Sequence, residues 1–196
     1  MLEIAVPQYL EQFILTLADS IHALPGSKRL VVVIPPFTPG FPSAEILFNP
    51  NVHVDFFALM TYDANIASQT GAPNAPIEWV EEQINHYVGN KDPTARKKLL
   101  VGLNMYGALF KGREGRRPIL GREYVELLET YEPTLDWDSE NEESFFEFSD
   151  GGDDWEVWYP TLMSIKKRLT LVEDFDVGGV CFWELGQGLD YFYELI

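Results

Sequence analysis

Tyr62 and Asp63 close an apolar run over residues 56–63, Phe-Phe-Ala-Leu-Met-Thr-Tyr-Asp. A run without polar alternation reads as a strand covered on both faces, and its first polar residues mark where a buried sheet opens toward a ligand. Residues 98–106 (Lys-Leu-Leu-Val-Gly-Leu-Asn-Met-Tyr) and 177–184 (Val-Gly-Gly-Val-Cys-Phe-Trp-Glu) finish in the same way. Three strand ends thus deliver Tyr, Asn, Trp and carboxylates to one rim, which is how a parallel barrel builds a site. The period of two puts Met60 with Tyr62 on one face, Asn104 with Tyr106, and Cys181 with Trp183. An indole beside phenols and a carboxylate can hold a sugar by its apolar face while bonding its amide and hydroxyls. The same side chains also suit the filling of a barrel layer, and spacing alone leaves the two readings level.

Other chemistry is poorly supported. His22, His53 and His86 lack metal-ligand spacing, so no metal and no cofactor are expected. There is no Gly-x-Ser-x-Gly, phosphate loop or dinucleotide fingerprint. Cys181 stands alone in an apolar run and reads as a small buried hydrophobe. Thirty-one acidic against 14 basic residues give a net charge of −17, which disfavours nucleic acid and anionic membrane surfaces as partners. No stretch approaches the roughly 20 apolar residues of a membrane-spanning helix. Aromatic residues make up 14% of the chain, a supply from which flat apolar platforms can be drawn beyond the needs of the core.

The elements that must carry the strand ends alternate. Leu10, Phe13, Leu17, Ile21 and Leu24 predict a helix over 7–24, stopped by Pro25-Gly26. A Val-rich strand is expected at 30–34 before Pro35-Pro36, then a long loop to Pro50. Helices are expected at 76–88, 121–131, 160–171 and 189–195, and Asp150-Gly-Gly-Asp153 predicts a hairpin within 137–159. Residues 1–6 look like the tail of a strand with nothing before it, an expectation of a truncated start. Right-handed crossovers favour a parallel sheet, and about four strand-helix units amount to half of an eight-unit barrel. Either the chain is a piece of a longer protein or it forms an open sheet.

Several of these segments together resemble a known family. Met60-Thr-Tyr62-Asp63, Gly102-Leu-Asn-Met-Tyr106-Gly107, Val157-Trp158-Tyr159 with Ser164-Ile-Lys166, and Gly178-Gly-Val-Cys-Phe-Trp183-Glu184-Leu-Gly186 are similar to the later strands of glycoside hydrolase family 18, the chitinase barrels. Pro35-Pro36, Pro73-Asn74-Ala75-Pro76 and the segment from Trp183 to Tyr193 narrow the resemblance to a chitinase-like member. It covers essentially the whole chain, residues 1–196. It implies an α/β fold, the C-terminal part of a (β/α)8 TIM barrel (about strands 4–8), with a small hairpin insertion over about 132–159 after the seventh strand.

The resemblance also implies a cleft for chitin-type N-acetylglucosamine oligosaccharides, lined by Met60, Tyr62, Asp63, Asn104 and Tyr106 and floored by Trp183. Active members rely on the sugar's own N-acetyl oxygen and on a glutamic acid that ends an Asp-x-x-Asp-x-Asp-x-Glu signature. That signature is not in these 196 residues. Asp150-Gly-Gly-Asp153-Asp154-Trp155-Glu156 has the wrong spacing and reads as a solvated turn. Glu3 is the one possible remnant, with Ala5 near the position of the acid. The expectation is a saccharide-binding protein without hydrolase activity. Two alternatives stand beside it: an active glycosidase whose catalytic first half precedes this chain, and a non-catalytic module whose acidic surface meets a protein partner. Family members are secreted or lysosomal, and this chain carries no signal of its own.

Overall fold

The computed structural model describes residues 6–112 and 114–195. In chain order the helices are α1 (Val6–His22), α2 (Ala44–Leu47), α3 (Ile77–Val88), α4 (Pro93–Arg96), α5 (Gly121–Tyr131) and α6 (Leu162–Asp174). The strands are β1 (Val31–Ile34), β2 (Phe56–Leu59), β3 (Leu99–Asn104), β4 (Gly107–Lys111), β5 (Arg116–Ile119), β6 (Asp136–Asp138), β7 (Glu143–Asp150), β8 (Asp153–Trp158) and β9 (Gly179–Trp183). A 3-10 turn over Asp190–Leu195 replaces the expected terminal helix. Glu3 lies outside the described residues. The chain divides into two compact units, one of residues 1–60, 82–101 and 172–180, the other of 61–81, 102–171 and 181–196.

The first unit holds β1, β2 and the opening residues of β3 and β9, in a sheet of strand order β1-β2-β3-β9. β1 pairs with β2 (Val31↔Phe56 to Ile34↔Leu59), and β2 pairs with β3 (Phe57↔Leu99). Phe57, Ala58 and Leu59 are all buried, as an unalternating apolar strand requires. β1 differs: Val31 and Val33 are exposed while Ile34 is buried, so only one of its faces is covered. α1 buries Ile14 and Ala18, with Leu10, Leu17 and Ile21 half-buried beside them, whereas Phe13 and Leu24 are exposed. The buried stripe thus follows the i, i+4 row through residues 10, 14 and 18 rather than the row through Phe13. α4 was not foreseen, although Asp92 caps it from Thr94 N–H at 2.8 Å and Ala95 N–H at 3.1 Å ahead of Pro93.

The second unit holds a five-stranded antiparallel sheet of order β5-β4-β8-β7-β6. It begins at Gly107, well before the 132–159 segment singled out in the sequence. Gly151 (φ 63°) and Gly152 (φ 89°) join β7 to β8, the pair of left-handed positions that a tight two-residue turn demands. α5 covers one face of this sheet, where Tyr131 stacks on Phe148 at 4.1 Å and Tyr124 lies 5.8 Å from Phe146. Tyr124 also stacks on Tyr159 at 4.2 Å. On the other face Ala72 packs against Ala108, Phe110 and Trp158.

α6 starts two residues later than its proline suggests. Thr161 and Ser164 cap it reciprocally, Thr161 N–H donating to Ser164 Oγ at 2.6 Å and Ser164 N–H to Thr161 Oγ1 at 3.4 Å. Arg168 of this helix is 4% exposed and meets Glu143, 3% exposed, at 3.0 Å. Burial pushes the Glu143 carboxyl above its ordinary range, and Arg168 with two backbone N–H donors opposes the rise. Burial likewise draws Arg168 down.

Candidate functional site

The described part of the second unit opens at Thr61, whose hydroxyl donates to the Gly102 carbonyl at 2.7 Å. Two residues on, the backbone of Asp63 turns into the left-handed region at φ 63°. An L-residue there needs outside support. The side chain of Asn74 supplies it, Oδ1 accepting the Asp63 N–H at 2.9 Å. So placed, the Asp63 carboxylate receives Arg116 Nη2 at 2.8 Å. The Arg116 side chain is 8% exposed against 33% for Asp63, so the pair presents its acidic end to solvent and keeps its cation inside.

Tyr106 follows β3 and is 7% exposed. Burial pushes its phenol well above the ordinary range, and the neighbouring Asp63 carboxylate pushes in the same direction. Tyr62 stands edge-on to it, ring centroids 6.3 Å apart at 76°, with its own phenol pushed up to about 12 by burial. Both rings are therefore neutral hydrogen-bonding groups at any physiological pH. Trp183 ends β9; its carbonyl accepts Met105 N–H at 2.7 Å, while its side chain is half exposed at 50%. The peptide from Trp183 to Glu184 is cis.

These groups border one cleft of about 380 Å3, lined by Asp63, Ile66, Tyr106, Arg116, Pro118, Leu120, Trp183 and Gln187. Of the residues chosen from sequence, Asp63, Tyr106 and Trp183 are brought together there. Tyr62 backs Tyr106. Asn104 is buried and spends its Nδ2 on the Tyr106 carbonyl at 2.7 Å, so it braces the strand end rather than facing the cleft. Met60, half-buried, is not among the cleft residues. Burial pushes the Cys181 thiol up to about 11, the behaviour of an inert thiol.

Arg116, Asn74, Gln187 and the apolar wall of Ile66, Pro118 and Leu120 were not foreseen. Gly112 (φ 49°) and Gly115 (φ 99°) were the available signal, since they turn the chain between β4 and β5 and so bring Arg116 back to the strand end. Gln187 donates to Glu184 Oε1 at 3.0 Å, and its own Oε1 is a buried acceptor without a partner. Gly151 and Gly152 form the exposed turn, whereas Asp153 to Glu156 run into β8, with Asp153 on Lys111 at 3.0 Å and Asp154 on Ser149 at 2.9 Å. Among the described residues no group of three or more His, Cys, Asp or Glu is arranged to hold a metal, and no helix is long and apolar enough to cross a membrane.

Residues 6–188 match the family described as Glycosyl hydrolases family 18. A cortical fragment-lytic enzyme of Bacillus anthracis is 30% identical over 141 residues, 68% of this chain and 32% of that protein. The chain thus spans about a third of the length of the curated relatives it matches. The crystal structure of a chitinase from Chromobacterium violaceum superposes with a TM-score of 0.83 at 22% identity, over 96% of this chain and 60% of that one. A variant of the family 18 chitinase of Cycas revoluta, in complex with (GlcNAc)4, gives 0.78 at 13% identity, over 94% and 60%. At such identities the two structures establish the shared α/β barrel-type fold alone.

Proposed function

The chain belongs to family 18 of the glycosyl hydrolases, and from that membership we propose that its cleft binds chitin-type oligosaccharides of N-acetylglucosamine without itself supplying the proton donor that would cleave them. The observation that carries this reading is the half-exposed Trp183 indole in the same cleft as Asp63 and Tyr106. An uncovered indole offers an apolar platform to a sugar face, and the carboxylate and phenol offer an acceptor and a donor for the ring substituents. A volume of about 380 Å3 lies in the usual range for a small-ligand site. The motifs that point to a chitinase-like member, in the manner of chitinase domain-containing protein 1, support binding over turnover. Under this proposal the parallel strands correspond to about strands 4–8 of the barrel, the antiparallel sheet follows the seventh, and the protein travels a secreted or lysosomal route.

Calorimetric titration of the full chain with N-acetylated chitotetraose tests it. Saturable binding that weakens at least about tenfold in Trp183→Ala and in Asp63→Ala is expected; heats no different from buffer dilution would refute it. A second reading, that the whole protein is an active glycosidase, is favoured by the enzyme names of relatives of which the match covers about a third. Mass spectrometry of the tetrasaccharide after incubation with the whole protein separates the two, intact sugar supporting binding alone and shorter oligomers supporting turnover.

A further inference from the structure

The segment Pro73-Asn74-Ala75-Pro76 stood out in the sequence without acquiring a role, yet the structure ties it at both ends. Asn74 is 3% exposed. Its N–H donates to Glu143 Oε2 at 3.2 Å and the Ala75 N–H to Glu143 Oε1 at 2.9 Å. Arg168 Nη2 reaches the same Oε1 at 3.0 Å and also donates to the Ala75 carbonyl. The Asn74 carbonyl accepts Ala64 N–H at 3.0 Å, and its Oδ1 accepts Asp63 N–H at 2.9 Å. Because Asp63 N–H can only donate, the atom facing it must be the amide oxygen, which fixes the orientation of the amide. Its Nδ2 is then a buried donor without a partner of good geometry.

We infer that Asn74 is the positioning residue of the cleft, holding the left-handed backbone of Asp63 while the buried Glu143–Arg168 pair clamps its main chain. Two independent observations converge on it. Asp63 occupies a strained conformation whose backbone N–H is held by the Asn74 side chain. The Asn74 main chain is itself held on both sides, its N–H by Glu143 Oε2 and its carbonyl by Ala64 N–H, so the amide is aimed at Asp63 from a fixed backbone. The proposal rests on the saccharide-binding reading for its consequence but not for its geometry. Asn74 is not among the cleft-lining residues; it sets where Asp63 stands.

The test pairs a ligand-free readout with a ligand-dependent one on the full chain. In Asn74→Ala the Asp63 amide should exchange with solvent about tenfold faster, with the β7 and β8 amides unchanged, because a single local hydrogen bond is lost. The dissociation constant for N-acetylated chitotetraose should rise about tenfold in the same variant. Asn74→Asp keeps the acceptor, so Asp63 protection and binding should both recover toward wild type. Glu143→Gln, which keeps one acceptor, should fall between wild type and Asn74→Ala in Asp63 exchange. Unchanged Asp63 exchange in Asn74→Ala would overturn the inference. So would equal weakening of binding in Val157→Ala at a matched loss of melting temperature, since the effect would then be general destabilisation. Failure of the wild-type chain to bind the tetrasaccharide would instead remove the proposed function, and the exchange result would still decide whether Asn74 holds Asp63.

Discussion

Two hollows of the second unit are made of much the same residue types, and only one of them leaves an indole uncovered beside an ion-paired carboxylate. The cleft at Trp183 is bordered by an indole, a phenol and a carboxylate. The other, about 500 Å3, is lined by Phe110, Phe148 and Trp155 together with Glu147, Asp154 and Glu156. By volume and by count of aromatics and acids the second is the richer. Its rings, however, are already spent: Phe110 is 1% exposed, and Trp155 stacks on Phe148 at 6.0 Å and 3° with Lys111 5.6 Å from its face. Among the described residues its acids form no ion pair, Glu147 standing directly across from Glu156, whereas Asp63 has Arg116. An uncovered ring beside a carboxylate held in place distinguishes a platform for a ligand from ordinary packing.

The largest effect expected is on the loop that serves both hollows. Glu143→Ala would leave Arg168 buried and unpaired and release the Asn74–Ala75 backbone, costing about 3–5 kcal/mol in urea unfolding. A loss below about 1 kcal/mol would show that the pair does not anchor this loop. Next, Trp183→Ala should cost about 2 kcal/mol of saccharide affinity, roughly thirtyfold in Kd. Trp155→Ala should lower the melting temperature and leave Kd within about twofold. Equal loss of affinity in the two variants would abolish the distinction between the hollows.

A smaller effect separates backbone from side chain in the second hollow. A Cβ on Gly71 would lie 1.7 Å from Glu156 Oε2, so Gly71→Ala must displace that carboxylate from its 2.6 Å bond with Trp158 Nε1. A flexible side chain can swing away, which limits the cost to about 1 kcal/mol. The cost should vanish when Glu156→Ala is combined with it, and a double-mutant cycle reads this directly. The smallest effect is on pH dependence. Burial raises the Glu156 carboxyl and Glu147 adds to the rise. A raised acid favours the folded state while protonated, so this contribution is complete below the ordinary carboxylate pKa of about 4.3 and is lost as pH climbs through the raised value. Glu156→Gln should flatten the melting temperature over that window, and a parallel offset at every pH would contradict the assignment.

The strand ends were legible because the period of two and the abrupt change from apolar to polar survive in the sequence: residues 56–63 and 177–184 point to Asp63 and Trp183 without any fold in hand. α5 was readable to its limits, since its apolar spacing and the Tyr131–Glu132 break coincide. What stayed hidden depends on contacts between distant segments. Arg116 reaches Asp63 across 53 residues, and Glu143 reaches Ala75 across 68, separations at which no periodicity carries a signal. Asn104 failed as a cleft residue for a local reason, because its amide turned back to the Tyr106 carbonyl two residues on. β1 was legible as a strand, but nothing in its unbroken valines tells that one of its faces is open.

The most direct test of the central claim follows the five indole N–H resonances of the full chain during titration with N-acetylated chitotetraose. The Trp183 signal should move saturably while those of Trp155 and Trp158 stay in place. A stationary Trp183 signal, or movement at Trp155 instead, would contradict the account.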